Sequence, residues 1–203
     1  MSAWHELCTW EGGLSQGRGG VRFVRNRHAQ ANGFALIDLI FVCGIIGVLA
    51  SMALPRLALA KAAAGSASAI GSLRAINSAE LTFALTCGSG FYAPSLVALA
   101  KPPAGTLEGF IKGDLGVSDP VQKSGYQFQI LSTPFAGAPD TCNAIGPGLT
   151  GLAYKIGADP LDVLNNSRYF ASNAGNTIWE DAAALFPGMP EAGEPLTGHP
   201  LQR

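Results

Sequence analysis

Histidine occurs only at positions 5, 28 and 199, and cysteine only at 8, 43, 87 and 142, so the usual makers of nucleophiles, proton relays and metal sites are sparse. No CxxC pair offers neighbouring thiolates, and the long stretch between His28 and His199 has no imidazole. Ser–His, Cys–His and histidine–zinc arrangements are therefore unsupported. Gly88-Ser89-Gly90 lacks the GxSxG pattern of a nucleophile elbow, and the glycines from Gly12 to Gly20 lack the lysine of a phosphate loop. Asp159 and Asp162 flank Pro160, with Asn165 and Asn166 close behind, a set of hard oxygen donors that suits calcium. Their spacing matches no calcium loop, and a solvated turn is the competing reading. No catalytic residue and no metal ligand set is expected, and the chain does not read as an enzyme.

One ionisable group stands out by its surroundings. Asp38 is the only charged side chain between Phe34 and Leu54, and Leu39 to Pro55 carries no charge at all. Twenty-one helical residues span about 31 Å, close to the hydrocarbon thickness of a bilayer. Arg18, Arg22, Arg25 and Arg27 precede this run, with no acid between Glu11 and Asp38. The positive-inside rule then keeps residues before Gly33 in the cytoplasm and sends those after Leu54 outside. Composition agrees: only 13% of the 203 residues are charged, against about 25% in ordinary soluble domains. A formal net charge of −1 provides no field for gathering nucleic acid. The residues leave several readings of the run open: a plain single-span anchor, a buried core helix, or a signal peptide cut after Ala58-Leu59-Ala60, before Lys61.

Gly33 followed by FALIDLIFVCGIIGVLASMALPRL closely resembles the N-terminal signature of type IV prepilins and type II secretion pseudopilins. In that family a basic leader ends in Gly, Phe follows, an acid stands fifth after the cut, and a proline comes near position 22. Gly33, Phe34, Asp38 and Pro55 occupy those places. The resemblance implies cleavage between Gly33 and Phe34 by prepilin peptidase, N-methylation of Phe34, and anchoring in the inner membrane. Assembly machinery in that membrane would then transfer the helix into a filament of pilin-like subunits. Asp38 stands where the family usually has Glu. It would meet the N-terminal amine of an adjacent subunit, with a reach one methylene shorter. Pro55, with Gly44 and Gly47 upstream, predicts a kinked or locally melted segment. Some major pseudopilins bind calcium through a C-terminal loop, which makes calcium the one cofactor the resemblance allows.

Arg56 to Thr86 is rich in Ala and Leu and continues the helix. Ile70, Leu73, Asn77, Leu81 and Ala84 share one face. Cys87-Gly88-Ser89-Gly90 ends it through glycines at positive φ. A short helix is expected over Pro94–Leu99, with proline at the first helical position. GYQFQIL, Gly125 to Leu131, has the clearest period-two alternation. Leu152–Ile156, Arg168–Ala171 and Asn176–Trp179 are further strand candidates. The stretches LRAINSAELTF, GSGF, SGYQF and ADP…RYF…GNTI are similar to motifs recurring in a subset of pilin-like proteins.

The expected fold is thus α+β and pilin-like, a long N-terminal helix packed on a small antiparallel sheet. Its parts are a leader (1–33), a transmembrane or filament-core helix (34–54), the amphipathic half of that helix (55–86), a β-rich head (87–181) and a flexible Pro-rich tail (182–203). Cys8 would leave with the leader and Cys43 lies in the anchor, so Cys87 and Cys142 remain for the oxidising side of the membrane. A disulfide between them would be worth roughly 4 kcal/mol in the chain-entropy model; two free buried thiols are the alternative. The expected function is that of a structural subunit of a type IV pilus or type II secretion pseudopilus. The alternative is a monomeric, membrane-anchored extracytoplasmic binding module.

Overall fold

A computed structural model describes residues 36–201. The leader, the Gly33–Phe34 junction and Cys8 lie outside the described residues. The chain divides into two units, Met1–Gly44 and Ile45–Arg203. Of the first, residues 36–44 are described, and they are helical and exposed.

Helix α1 (Leu36–Thr86) is 51 residues long and has Pro55 inside it. Proline removes the N–H that would bond the Ser51 carbonyl. Of the kinked or locally melted segment expected there, the melted form is not seen: helix continues through Pro55, because the Leu- and Ala-rich residues on both sides have high helix propensity. At the C-terminal end the Cys87 and Gly88 amides both donate to the Phe83 carbonyl, at 2.8 and 2.7 Å. Ser89 and Gly90 then take positive φ. Gly88 is needed for a different reason from the one expected: a Cβ there would lie 2.2 Å from the Phe91 carbonyl oxygen.

The buried stripe of α1 is Ala69, Leu73, Ile76, Glu80 and Phe83, continued by Cys87. The 4-3-4-3-4 spacing is that of a helix face pressed on a flat partner. It lies about one residue off the expected face: Leu73, Asn77 and Ala84 are buried as read, Ile70 is half-buried, and Leu81 is exposed. Short helix α2 (Leu96–Ala100) begins after Ser95, whose Oγ accepts the Ala98 amide at 3.2 Å. Serine as N-cap thus replaces the expected proline start.

Six strands form an antiparallel meander, each paired with the next: β1 (Val121–Lys123), β2 (Tyr126–Leu131), β3 (Lys155–Pro160), β4 (Tyr169–Asn173), β5 (Ile178–Asp181) and β6 (His199–Pro200). Strand β3 starts later than the Leu152–Ile156 expected, because Gly151 is engaged in bridges to Tyr92 and Pro134. Ile130, Ile156, Ser172 and Ile178 form one cross-strand row. With Tyr126, Phe128, Ala158 and Phe170, the three isoleucines of this row meet α1 in the main core, and Ser172 Oγ accepts from Asn77 Nδ2 of α1. The adjoining row, Gln129, Gly157, Ala171 and Trp179, faces the other way.

That second face is covered by the segment read from sequence as a flexible tail. Leu185 and Met189 pack with Ala171 and Trp179. Asn173 Nδ2 donates to the carbonyls of Pro190 (3.0 Å) and Gly193 (2.7 Å), and β6 pairs with β5. Composition pointed to mobility because prolines are frequent. The few apolar residues among them are spaced to cover the sheet, and the Asn173 amide ties down their carbonyls. Gly157 makes room for this, since a Cβ there would lie 2.7 Å from Phe186 Cβ. Gly157→Ala is therefore expected to lower the unfolding free energy by about 1–3 kcal/mol, read as a lower urea midpoint. An unchanged midpoint would mean that the segment does not press on the sheet.

Candidate functional site

From Leu36 to Leu59 every large apolar side chain of α1 is between 46% and 74% exposed. Leu39, Ile40, Phe41 and Val42 follow one another, so the apolar surface wraps the helix on all sides. A helix apolar all round belongs in a core or in a lipid-like environment. Among the described residues nothing packs a core around this stretch, and its exposed area exceeds what a soluble monomer leaves bare. By length and composition α1 is a candidate membrane span. Arg56 and Lys61, both exposed, close the uncharged run.

Asp38 lies in the first turn of α1 and is exposed. The helix dipole favours a carboxylate there, and among the described residues no basic side chain forms an ion pair with it. Cys43 is a free, exposed thiol in the same stretch. Gly33 and Phe34, the cleavage and methylation positions expected from the resemblance, lie outside the described residues.

Cys87 and Cys142 are disulfide-bonded. The bond ties the end of α1 to the long connection between β2 and β3, with support from Asn143. Asn143 Nδ2 donates to the carbonyls of Ala98 (2.9 Å) and Lys101 (3.2 Å). Non-reducing peptide mapping should recover a linked Cys87–Cys142 peptide that separates on reduction; two unlinked alkylated peptides would contradict the bond.

The oxygen donors considered for calcium are each engaged in hydrogen bonds within the chain. Asp159 accepts from Gln129 Nε2 at 3.2 Å, and burial holds its carboxyl above the usual range. Asp162 is paired with Asn165 Nδ2 at 2.7 Å, which holds it below that range. Asn166 turns toward α1, donating to Tyr126 Oη (2.8 Å) and Ser66 Oγ (3.2 Å). Among the described residues no group of three His, Cys, Asp or Glu side chains is placed to share a metal.

Sequence reasoning passed over Glu80, which has no exposed surface. Its Oε2 accepts the Ala93 amide at 2.9 Å, while Oε1 has no partner among the described residues. Burial pushes the carboxyl up to about 8, against the pull of that amide. The buried Tyr154 hydroxyl, raised by its own burial and then by Glu80, donates to Asn77 Oδ1 at 3.1 Å. Asn77 Nδ2 donates in turn to Ser172 Oγ at 2.8 Å. A signal for Glu80 was present: it stands four residues after Ile76 and three before Phe83, on the face that is buried.

Comparison of the chain with family models, with curated proteins and with solved structures finds no match.

Proposed function

We propose that the chain is a pilin-like or pseudopilin structural subunit, anchored by the apolar half of α1 and assembled through it into an extracytoplasmic filament. The observation that supports this most is the bare, uncharged apolar stretch from Leu39 to Leu54 on a helix whose C-terminal part is packed into a head. Lipid satisfies that surface before assembly, and neighbouring copies of the same helix satisfy it afterwards. The signature around Gly33, Phe34 and Asp38 supplies the processing step: prepilin peptidase cuts on the cytoplasmic side and methylates Phe34. Inner-membrane assembly machinery and other pilin-like subunits are the remaining partners. The head emerges on the oxidising side, which accords with the Cys87–Cys142 bond. The work of the protein is assembly rather than catalysis.

Mass spectrometry of the mature N-terminus tests this reading. A methylated Phe34 is the expected terminus. A terminus at Lys61 would mean an ordinary signal peptide and loss of the anchor, and retention of residues 1–33 would rule out prepilin processing.

A further inference from the structure

The turn after β3 has an unusual surface. Leu164 is 93% exposed, and Val163 and Leu161 beside it are about half exposed, at 52% and 48%. The turn is nonetheless firmly held. The Leu161 amide donates to the Gly125 carbonyl at 2.9 Å, and the Asn166 amide to the Asp162 carbonyl at 3.0 Å. Asn166 Nδ2 also donates to Ser66 Oγ on α1. A cleft of about 320 Å³ lies between turn and helix, lined by Ala58, Lys61, Ala62, Asp162 and Asn165. The apolar turn is thus seated beside Ala58 and Lys61, where the uncharged run of α1 gives way to its first basic residues.

We propose that the Leu161–Leu164 turn is a second membrane contact, lying in the headgroup layer of the bilayer that the apolar half of α1 enters. The inference rests on the anchor reading above. A helix that leaves the hydrocarbon between Pro55 and Lys61 carries this turn at the height of the lipid phosphates, because the turn is bonded to the helix one to two turns further on. Leu161, Val163 and Leu164 offer the apolar part of an interfacial contact. Arg56 and Lys61, both exposed on α1, offer cations to anionic headgroups, with Asp162 partly offsetting Lys61. The occupant is therefore a lipid surface rather than a soluble partner, and its effect is to fix the tilt of the head against the membrane before assembly.

The test uses the full chain in phosphatidylcholine–phosphatidylglycerol vesicles, with Cys8→Ser and Cys43→Ser leaving only the disulfide pair. A nitroxide is attached in turn at Leu164→Cys, Leu107→Cys and Met52→Cys. Leu107 is 97% exposed and belongs to the segment that pairs with Leu99 and Cys142, near the opposite end of the packed helix. Collision with oxygen, which concentrates in lipid, is compared with collision with a water-soluble nickel chelate. The expected result is an oxygen-to-nickel ratio several-fold higher at 164 than at 107, approaching that at 52. A ratio at 164 equal to that at 107, with 52 still in lipid, overturns the proposal and leaves the anchor standing. Shielding of 164 from both reagents also overturns it, since protein and not lipid then covers the turn. Water exposure at 52 overturns the anchor reading and this inference with it.

Discussion

Glutamine at position 80 is expected to remove a pH dependence of stability that the native glutamate imposes on the head. Glu80 is fully buried, one of its oxygens has no partner among the described residues, and burial pushes its carboxyl up to about 8 from an ordinary value of 4.5. Between those values the folded state keeps a proton that the unfolded chain has released. Stability from this group is therefore complete below about pH 4.5 and is lost as pH rises toward about 8. The loss is on the order of a few kcal/mol, a large share of a small domain's total. Glu80→Gln keeps the shape without the ionisation. Its amide adds a constant cost wherever it lacks a partner, but no slope. The unfolding free energy of the variant minus that of the native chain should rise steadily across this window, as read from urea midpoints. The difference isolates Glu80, because Asp119 and Asp159, both raised by burial, contribute equally to the two proteins. A flat difference would mean that position 80 is not desolvated in the folded head.

Alanine at position 38 is expected to leave cleavage at Gly33 and membrane insertion intact while eliminating filaments. Removing the one carboxylate from the apolar stretch eases insertion, since a charge within a span is costly. The proposed partner of Asp38 is the N-terminal amine of an adjacent subunit. A charge-assisted contact of that kind is worth about 1.5–3 kcal/mol, so its loss weakens each contact roughly 10- to 100-fold. The deficit recurs at every subunit and suppresses long assemblies altogether. Asp38→Glu, which adds one methylene of reach, should assemble at least as well as the native chain. Sheared filaments measured against processed membrane-bound subunit provide the readout. Normal filament levels with Asp38→Ala would remove the register role from this residue.

The elements most legible in the sequence were those whose physics is local. The uncharged run, the Ala- and Leu-rich continuation of α1 and the alternation of Tyr126, Phe128 and Ile130 each follow from side chains a few residues apart. Tertiary choices were less legible. The expected helix face includes Leu81, which is exposed, and omits Glu80, which is buried. Strands β1 and β6 contain three and two residues and exist only as edges paired to longer neighbours, so no local period could announce them. The packing of the last segment depended on Gly157 leaving space for Phe186 and on Asn173 holding two distant carbonyls, contacts that sequence spacing does not encode. The apolar turn at Leu161–Leu164 passed unnoticed for the same reason, since its meaning comes from its seat beside Ala58 and Lys61.

The central claim is that the apolar half of α1 exchanges lipid for other copies of itself. Photocrosslinking in intact membranes tests it most directly, with benzoylphenylalanine replacing Val48, which is 60% exposed in the middle of the apolar stretch. The account predicts a ladder of dimers, trimers and higher multiples of the processed chain. Monomers bearing only lipid adducts would contradict it and leave a solitary anchored module in its place.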